Sequence, residues 1–485
     1  MNASNNQDLN PSNPPKDPKK GVGSGAVITA WCVILFSAII WINQESLVGW
    51  LMYEIGVGAE EVVDAQEPTS QLTGISSPEL EVMAKMVVGS KGILPEGLAK
   101  TLMSESIDEL QNEELVNRVG WSILKAAIGE LPQAEEELDE LIAENENNPA
   151  IEKELMLVRR AVIAQRNGEV LSDTDQTELI DSLGYFGEVA VSLSDTAEQT
   201  RLEKEVLPQL FKFMLAVGVY MLVGVSGVVV LLLMCIFAFT GKVKSRLIKT
   251  SRPGIYAETF AIWMVLFFAL QITVGLLELS PPILMSSVAF FASLSALAWP
   301  VIRGHSWSKV RKDIGWYGGK SPWFEPFAGF ATWGMAIPFM VIGLMITQLL
   351  IILVELLTGT APTPGHPVQQ LANSASGLDL VYLFIAVSLA APIVEETMFR
   401  GVLYAHLRGM SRRMVGILSV GMSMLITSIL FAAIHPQGLV FIPPLAGLAI
   451  GFCIGREWRG SLLASMFAHG YHNALTISLS LILFS

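Results

Sequence analysis

Nine long apolar runs, with Lys and Arg gathered on every second connection between them, constrain this chain more than any other feature. The runs are Ala26 to Ile42, Phe213 to Phe239, Ala257 to Leu277, Ile283 to Ile302, Phe327 to Leu357, Leu378 to Leu407, Met414 to Ile434, Leu439 to Ile454 and Leu462 to Phe484. A bilayer core takes ~20 apolar residues of helix to cross, and inside it a helix satisfies all its own backbone polar groups. Basic residues fall at Lys16 to Lys20, Lys242 to Arg252, Arg303 to Lys320, Arg408 to Arg413, and Arg456 with Arg459, all on one side if each run crosses once. That bias marks cytoplasmic loops. The expected fold is therefore all-α: a polytopic transmembrane helical bundle of about nine spans in the cell (inner) membrane, its N-terminus cytoplasmic.

Charge divides the chain into parts of opposite character. Only 16% of the residues are charged, against about 25% in a soluble domain. The formal net charge of -14 hides 33 acidic and 11 basic residues between Glu54 and Glu205, leaving 12 acidic and 20 basic elsewhere. Residues 51–210 contain no span but show helical periodicity, as in Leu110, Leu115, Val119 and Leu124, and in Leu155, Val158, Val162 and Ile163. Breaks at Gly92 to Pro95, Asn145 to Pro149 and Leu183 to Gly187 suggest short paired helices. An acidic soluble helical insert follows, placed outside the cytoplasm, with a protein partner as one possible use. Its charge disfavours nucleic acid and anionic lipid.

Around the insert, 1–25 reads as a disordered tail rich in Asn, Ser, Pro and Lys. Residues 26–50 read as an uncleaved transmembrane anchor, a cleaved signal peptide being the rival. Residues 211–360 supply transmembrane helices that precede a catalytic membrane domain over 378–485. Cys32, Cys235 and Cys453 lie inside apolar runs, so no disulfide framework or cysteine-rich zinc site is expected. Gly447, Gly451 and Gly455 share one helix face, where small residues let a neighbouring helix come close in lipid.

Ionisable groups inside spans cost roughly 2.5 to 3.5 kcal/mol on insertion scales, so each calls for a partner or a task. The last third of the chain collects several. Glu396 and Arg400 are four apart and can pair on one helix face. Glu395 points about 100° away, with no sequence-local cation, and is a candidate general base on water. The seventh run ends at Phe431-Ala-Ala-Ile-His435-Pro436, and the ninth contains His469-Gly-Tyr-His472-Asn473. His469 and Asn473 share a face, so an imidazole and a carboxamide can aim at one oxyanion.

Glu-Glu-x-x-x-Arg, Phe-x-x-x-His and His-x-x-x-Asn, on successive apolar helices, resemble the CAAX-processing and bacteriocin-processing (CPBP or Abi) family of intramembrane glutamic endopeptidases, which includes type II CAAX prenyl endopeptidases. The resemblance covers roughly Leu378 to Leu483. It implies that Glu395 and His435 activate a hydrolytic water, that His469 and Asn473 form the oxyanion site, and that Glu396 and Arg400 support them. The implied activity is intramembrane endopeptidase hydrolysis of a membrane-associated peptide or protein, with the bilayer as surroundings and no cofactor.

Other readings stay in view. A zinc ion could use Glu395, His435 and His469, but no carboxylate partner for either histidine is evident, which favours a metal-free mechanism. A non-catalytic immunity or protein-binding factor is one alternative function, and a secondary transporter using the same groups is another. His472 reads as a bystander, and His305, His366 and His406 as solvated. Depth is a difficulty. At 1.5 Å per residue, Glu395 stands about 20 Å above Arg408, His435 about 33 Å above Arg413, and His469 about 12 Å above Ser461. Straight helices with flush ends would not meet there; long helices that protrude, tilt or kink at Pro392 and Pro443 could close the gap.

Overall fold

The computed structural model describes residues 24–42, 78–91, 100, 103–104, 107, 115–319, 321–360, 362, 377–435 and 437–484. Regular structure among them is entirely helical. The tail expected over 1–25 lies outside the described residues except for its last two, and so do Gly92 to Pro95, Leu110, His366, Pro436 and most of the Pro-rich connection after Thr358. The chain divides into two compact units. One contains described residues within 24–42, 223–360 and 377–474, the other those within 78–222 and 475–484.

The membrane unit begins with α1 (Ser24–Ile42), the first helix among the described residues. The second unit contains the acidic insert. Its helices are α2 (Pro78–Lys91), α3 (Leu115–Ala127), α4 (Leu131–Glu144), α5 (Pro149–Asn167), α6 (Asp173–Leu183) and α7 (Tyr185–Ser192). The breaks have local causes. Asn148 caps α5 by accepting from the N–H of Ile151, Pro149 opens the helix, and Gly168 closes it at φ 69°. Val119, Leu124, Leu155, Val158 and Val162 are buried in one core with Trp121, Leu138, Phe186 and Val189. Acidic residues line the outside and pair with the few cations, as Arg160 does with Asp175 at 2.9 Å.

Helix α8 (Thr196–Phe239) runs for 44 residues, about 66 Å, so the domain boundary expected at 210/211 falls inside one uninterrupted helix. It begins in the insert unit and ends in the membrane unit. The membrane unit continues with α9 (Gly254–Leu276), α10 (Pro282–Ile302), α11 (Trp307–Ile314), α12 (Glu325–Thr358), α13 (Leu378–Met410), α14 (Gly416–Ala433), α15 (Ile442–Arg459) and α16 (Leu463–Phe484) as far as Ala474, the rest of α16 being grouped with the other unit.

Among the described residues seven segments are long and apolar enough to cross a membrane, so the expected count of nine is not confirmed: α8, α9, α10, α12 extended back to Pro322, α13, α14, and α15 extended back to Leu439. Helix α1, expected to be an anchor, counts only as a shorter apolar helix. Helix α16 has 22 residues, but His469, His472 and Asn473 lower its hydropathy. The chain is an integral membrane protein. Leu232, Phe239, Leu349 and Leu356 stand exposed on α8 and α12, an arrangement that suits lipid and not water.

Helices α12 and α15 pack backbone to backbone through the glycine stripe. A Cβ on Gly447 would lie 2.2 Å from the Phe339 carbonyl oxygen, one on Gly451 2.2 Å from Ala336 Cβ, and one on Gly455 2.4 Å from Thr332. Such contact replaces the hydrophobic drive that helices lack in lipid. It holds α15 where its C-terminal end can reach α13.

The depth difficulty resolves at that end. Nε of Arg456 donates to the Arg400 carbonyl at 3.2 Å, and the N–H of Leu462 donates to the Gly315 carbonyl at 3.0 Å. The α15–α16 turn therefore lies level with Arg400, eight residues or about 12 Å deeper than Arg408. On the other flank, Arg408 binds the Ser419 hydroxyl. His435 is 16 residues, about 24 Å, from that tie, and Glu395 is 13 residues, about 20 Å, from it. The helix ends are staggered in depth, and that stagger closes the gap that flush ends would leave.

Candidate active site

Helix α13 is wound unevenly. Residues Ala386–Ala390 and Thr397–Leu403 form π-turns on either side of Ala391–Glu396, which contains Pro392. Wide turns of this kind shift the phase of the side chains that follow. The regular stretch between them carries both glutamates.

Glu396 and Arg400 are fully buried and paired, with Nη1 to Oε1 at 2.8 Å. The guanidinium lies between two rings, 4.3 Å from the Phe431 centroid and 5.3 Å from that of Phe452. It also donates to the Ala449 carbonyl at 3.4 Å. Burying the pair is tolerable because it is held from several sides. Oε1 of Glu396 also lies 3.0 Å from Nδ1 of His469. A carboxylate partner for a histidine is thus present, contrary to the sequence expectation; it comes from 73 positions away.

Glu395 faces the other way. Its Oε2 lies 3.8 Å from Nε2 of His469 and 3.9 Å from Nε2 of His435. Those separations exceed a hydrogen bond and suit a single bridging water. Among the described residues, nothing donates to that oxygen. His435 sits just beyond α14, with Nδ1 2.7 Å from the Phe431 carbonyl. A carbonyl only accepts, so Nδ1 carries the hydrogen and Nε2 of the neutral ring turns a lone pair toward Glu395. The side chains of Glu395 and His435 keep 13% and 21% exposure, whereas Glu396 and Arg400 have none. The Oε2 atom of Glu395 is itself buried.

Asn473 lies one turn beyond His469 and donates Nδ2 to the Val387 carbonyl at 2.8 Å. The candidate residues thus divide into a cluster of Glu395, Glu396, Arg400, His435 and His469, and an amide tied to the backbone of α13. Phe452 stacks on His469 at 5.2 Å. Sequence reading missed it because a phenylalanine in an apolar helix looks like any core residue.

The remaining histidines differ from expectation. His406 is 1% exposed: Nδ1 faces the Pro253 carbonyl at 2.9 Å, and Nε2 accepts from Trp31 Nε1 at 3.0 Å. His305 is 5% exposed, beside the Tyr256 ring. Both had been expected in water, but the basic ends of these helices fold back against α9. His472 lines a cavity of about 220 Å³ with Gln437, Met340, Phe441, Pro444, Leu445 and Leu448.

Among the described residues, no group of three His, Cys, Asp or Glu side chains is arranged to hold a metal ion. In tetrahedral zinc, ligands at 2.0–2.1 Å stand about 3.3 Å apart. The 3.8 and 3.9 Å edges here are longer.

Residues 377–475 match the family model described as type II CAAX prenyl endopeptidase, Rce1-like. The match spans about a fifth of the chain and includes Glu395, Glu396, Arg400, His435, His469 and Asn473. It supports an intramembrane protease type of function. No curated protein and no solved structure matches the chain.

Proposed function

We propose that this protein is an intramembrane endopeptidase in which Glu395 and His435 activate a water molecule against a peptide bond. The observation that carries the reading is the position of Glu395 Oε2, a buried oxygen with no donor among the described residues, 3.8–3.9 Å from two imidazole nitrogens. Water held there gives a proton to Glu395 while its oxygen bonds to the carbonyl carbon. The C–N bond then breaks, and the proton passes to the leaving amine. His469 and the second amide hydrogen of Asn473 stabilise the oxyanion. Nε2 of His469 donates only when the ring holds both protons, Nδ1–H already facing Glu396. Glu396 and Arg400 hold that ring in place.

The mechanism is proposed as metal-free, on the 3.8 and 3.9 Å separations of Glu395 from the two imidazoles. The substrate is a membrane-associated polypeptide; the matched family's name makes a prenylated C-terminal CAAX peptide the first probe. The N-terminus is assigned to the cytoplasmic side of the cell membrane and the acidic insert to the opposite side, on the distribution of Lys and Arg. The test uses purified full-length protein in lipid nanodiscs, a farnesylated CAAX peptide and ¹⁸O-water. One ¹⁸O in the newly formed carboxylate, with a rate about 100-fold lower in His435→Ala, is expected. Release without label, or equal rates, would contradict the proposal.

A further inference from the structure

Asn473 is bound to backbone, and the reason lies in the proline that precedes the two glutamates. In the π-turn Ala386–Ala390 the N–H of Ala391 reaches back five residues, to the Ala386 carbonyl. The Val387 carbonyl is thereby passed over. Its four-residue partner, Ala391, is engaged, and its five-residue partner, Pro392, has no N–H. A backbone oxygen without a donor is costly inside a membrane. Nδ2 of Asn473, on α16, supplies the missing donor at 2.8 Å. Gly470 permits the approach, since a Cβ there would lie 2.8 Å from the Ser388 carbonyl oxygen.

We propose that Pro392 and Asn473 are a positioning pair: the proline opens the ladder of α13 three residues before Glu395, and the asparagine closes it from α16. The bond sets the height and rotation of α16 against α13, and with them the place of His469 beside both glutamates. One amide hydrogen of Asn473 is spent on Val387, which aims the second and leaves Oδ1 in a fixed direction. The catalytic consequence rests on the proposed hydrolase reading; the pairing itself does not.

The test is a double-mutant cycle of wild type, Pro392→Ala, Asn473→Ala and the double variant, as full-length protein in nanodiscs. Alanine at 392 returns an N–H to α13, so the Asn473 amide is no longer needed there. Asn473→Ala is expected to lower the melting temperature, and adding Pro392→Ala to recover about half of that loss. Pro392→Ala alone is expected to lower kcat on the farnesylated peptide by about 10- to 100-fold with KM unchanged, because α16 loses its tie while the binding surface stays. Additive melting changes would overturn the pairing, and an unchanged kcat in Pro392→Ala would overturn its positioning role. If Asn473→Ala does not fold, Asn473→Asp, which keeps the shape and lacks the donor, completes the same cycle. If wild type cleaves nothing, the hydrolase reading fails, and the melting cycle still decides the pair.

Discussion

Nδ1 of His469 lies 3.0 Å from Oε1 of Glu396, and the same oxygen lies 2.8 Å from Arg400. The buried cation keeps Glu396 an acceptor, so Nδ1 donates and Nε2 is the end of the ring turned to Glu395. Adjacent glutamates thus act on opposite ends of one imidazole, and the hundred-degree step between neighbouring helical positions makes that possible.

Removing Glu396 should be felt first in stability. Glu396→Ala strands a fully buried guanidinium between Phe431 and Phe452, at an expected cost of about 3–5 kcal/mol. Thermal unfolding in nanodiscs measures it. A melting temperature within one degree of wild type would show that Arg400 finds another partner.

The α12–α15 contact admits no side chain at Gly451. Gly451→Val places carbon atoms where Ala336 already stands, and overpacking of this kind costs about 1–3 kcal/mol. Size-exclusion chromatography and melting of the purified variant check this. A variant as stable as wild type would mean that the two helices separate freely.

Part of this arrangement is legible in residue spacing. Four-residue steps pair Glu396 with Arg400 and put Gly447, Gly451 and Gly455 on one face, because both are properties of a single helix. Spacing says nothing of how deep one helix sits against the next. The tie from Arg456 to the Arg400 carbonyl, which sinks the α15–α16 turn by about 12 Å, is a tertiary contact between residues 56 positions apart. The π-turns flanking Pro392 and the burial of His406 are equally hidden. The burial of His406 depends on which carbonyl and indole distant helices bring near. The count of nine spans is not confirmed for a related reason: the residues that make α16 a candidate site also make it less apolar.

His406 joins α1 to α13 through the indole of Trp31. His406→Ala leaves that N–H and the Pro253 carbonyl without their partner, an expected loss of about 1–3 kcal/mol. His406→Gln, which keeps a donor and an acceptor, should lose less. Melting of both variants measures this, and equal losses would make ring packing the main contribution.

Chelation separates the two ways of activating water. With a metal-free site, overnight dialysis against EDTA and 1,10-phenanthroline should leave the cleavage rate of the farnesylated peptide within about twofold, whereas loss of a catalytic zinc ion removes the activated water altogether. Loss of activity that returns on adding zinc would assign Glu395, His435 and His469 as ligands instead.

The most direct measurement is peptide cleavage by Glu395→Gln. The amide keeps the size of the side chain and cannot take a proton from water, so the rate should fall by about 100- to 10,000-fold while the melting temperature stays near that of wild type. A folded Glu395→Gln protein that cleaves the peptide at the wild-type rate would contradict the assignment of Glu395 as the base.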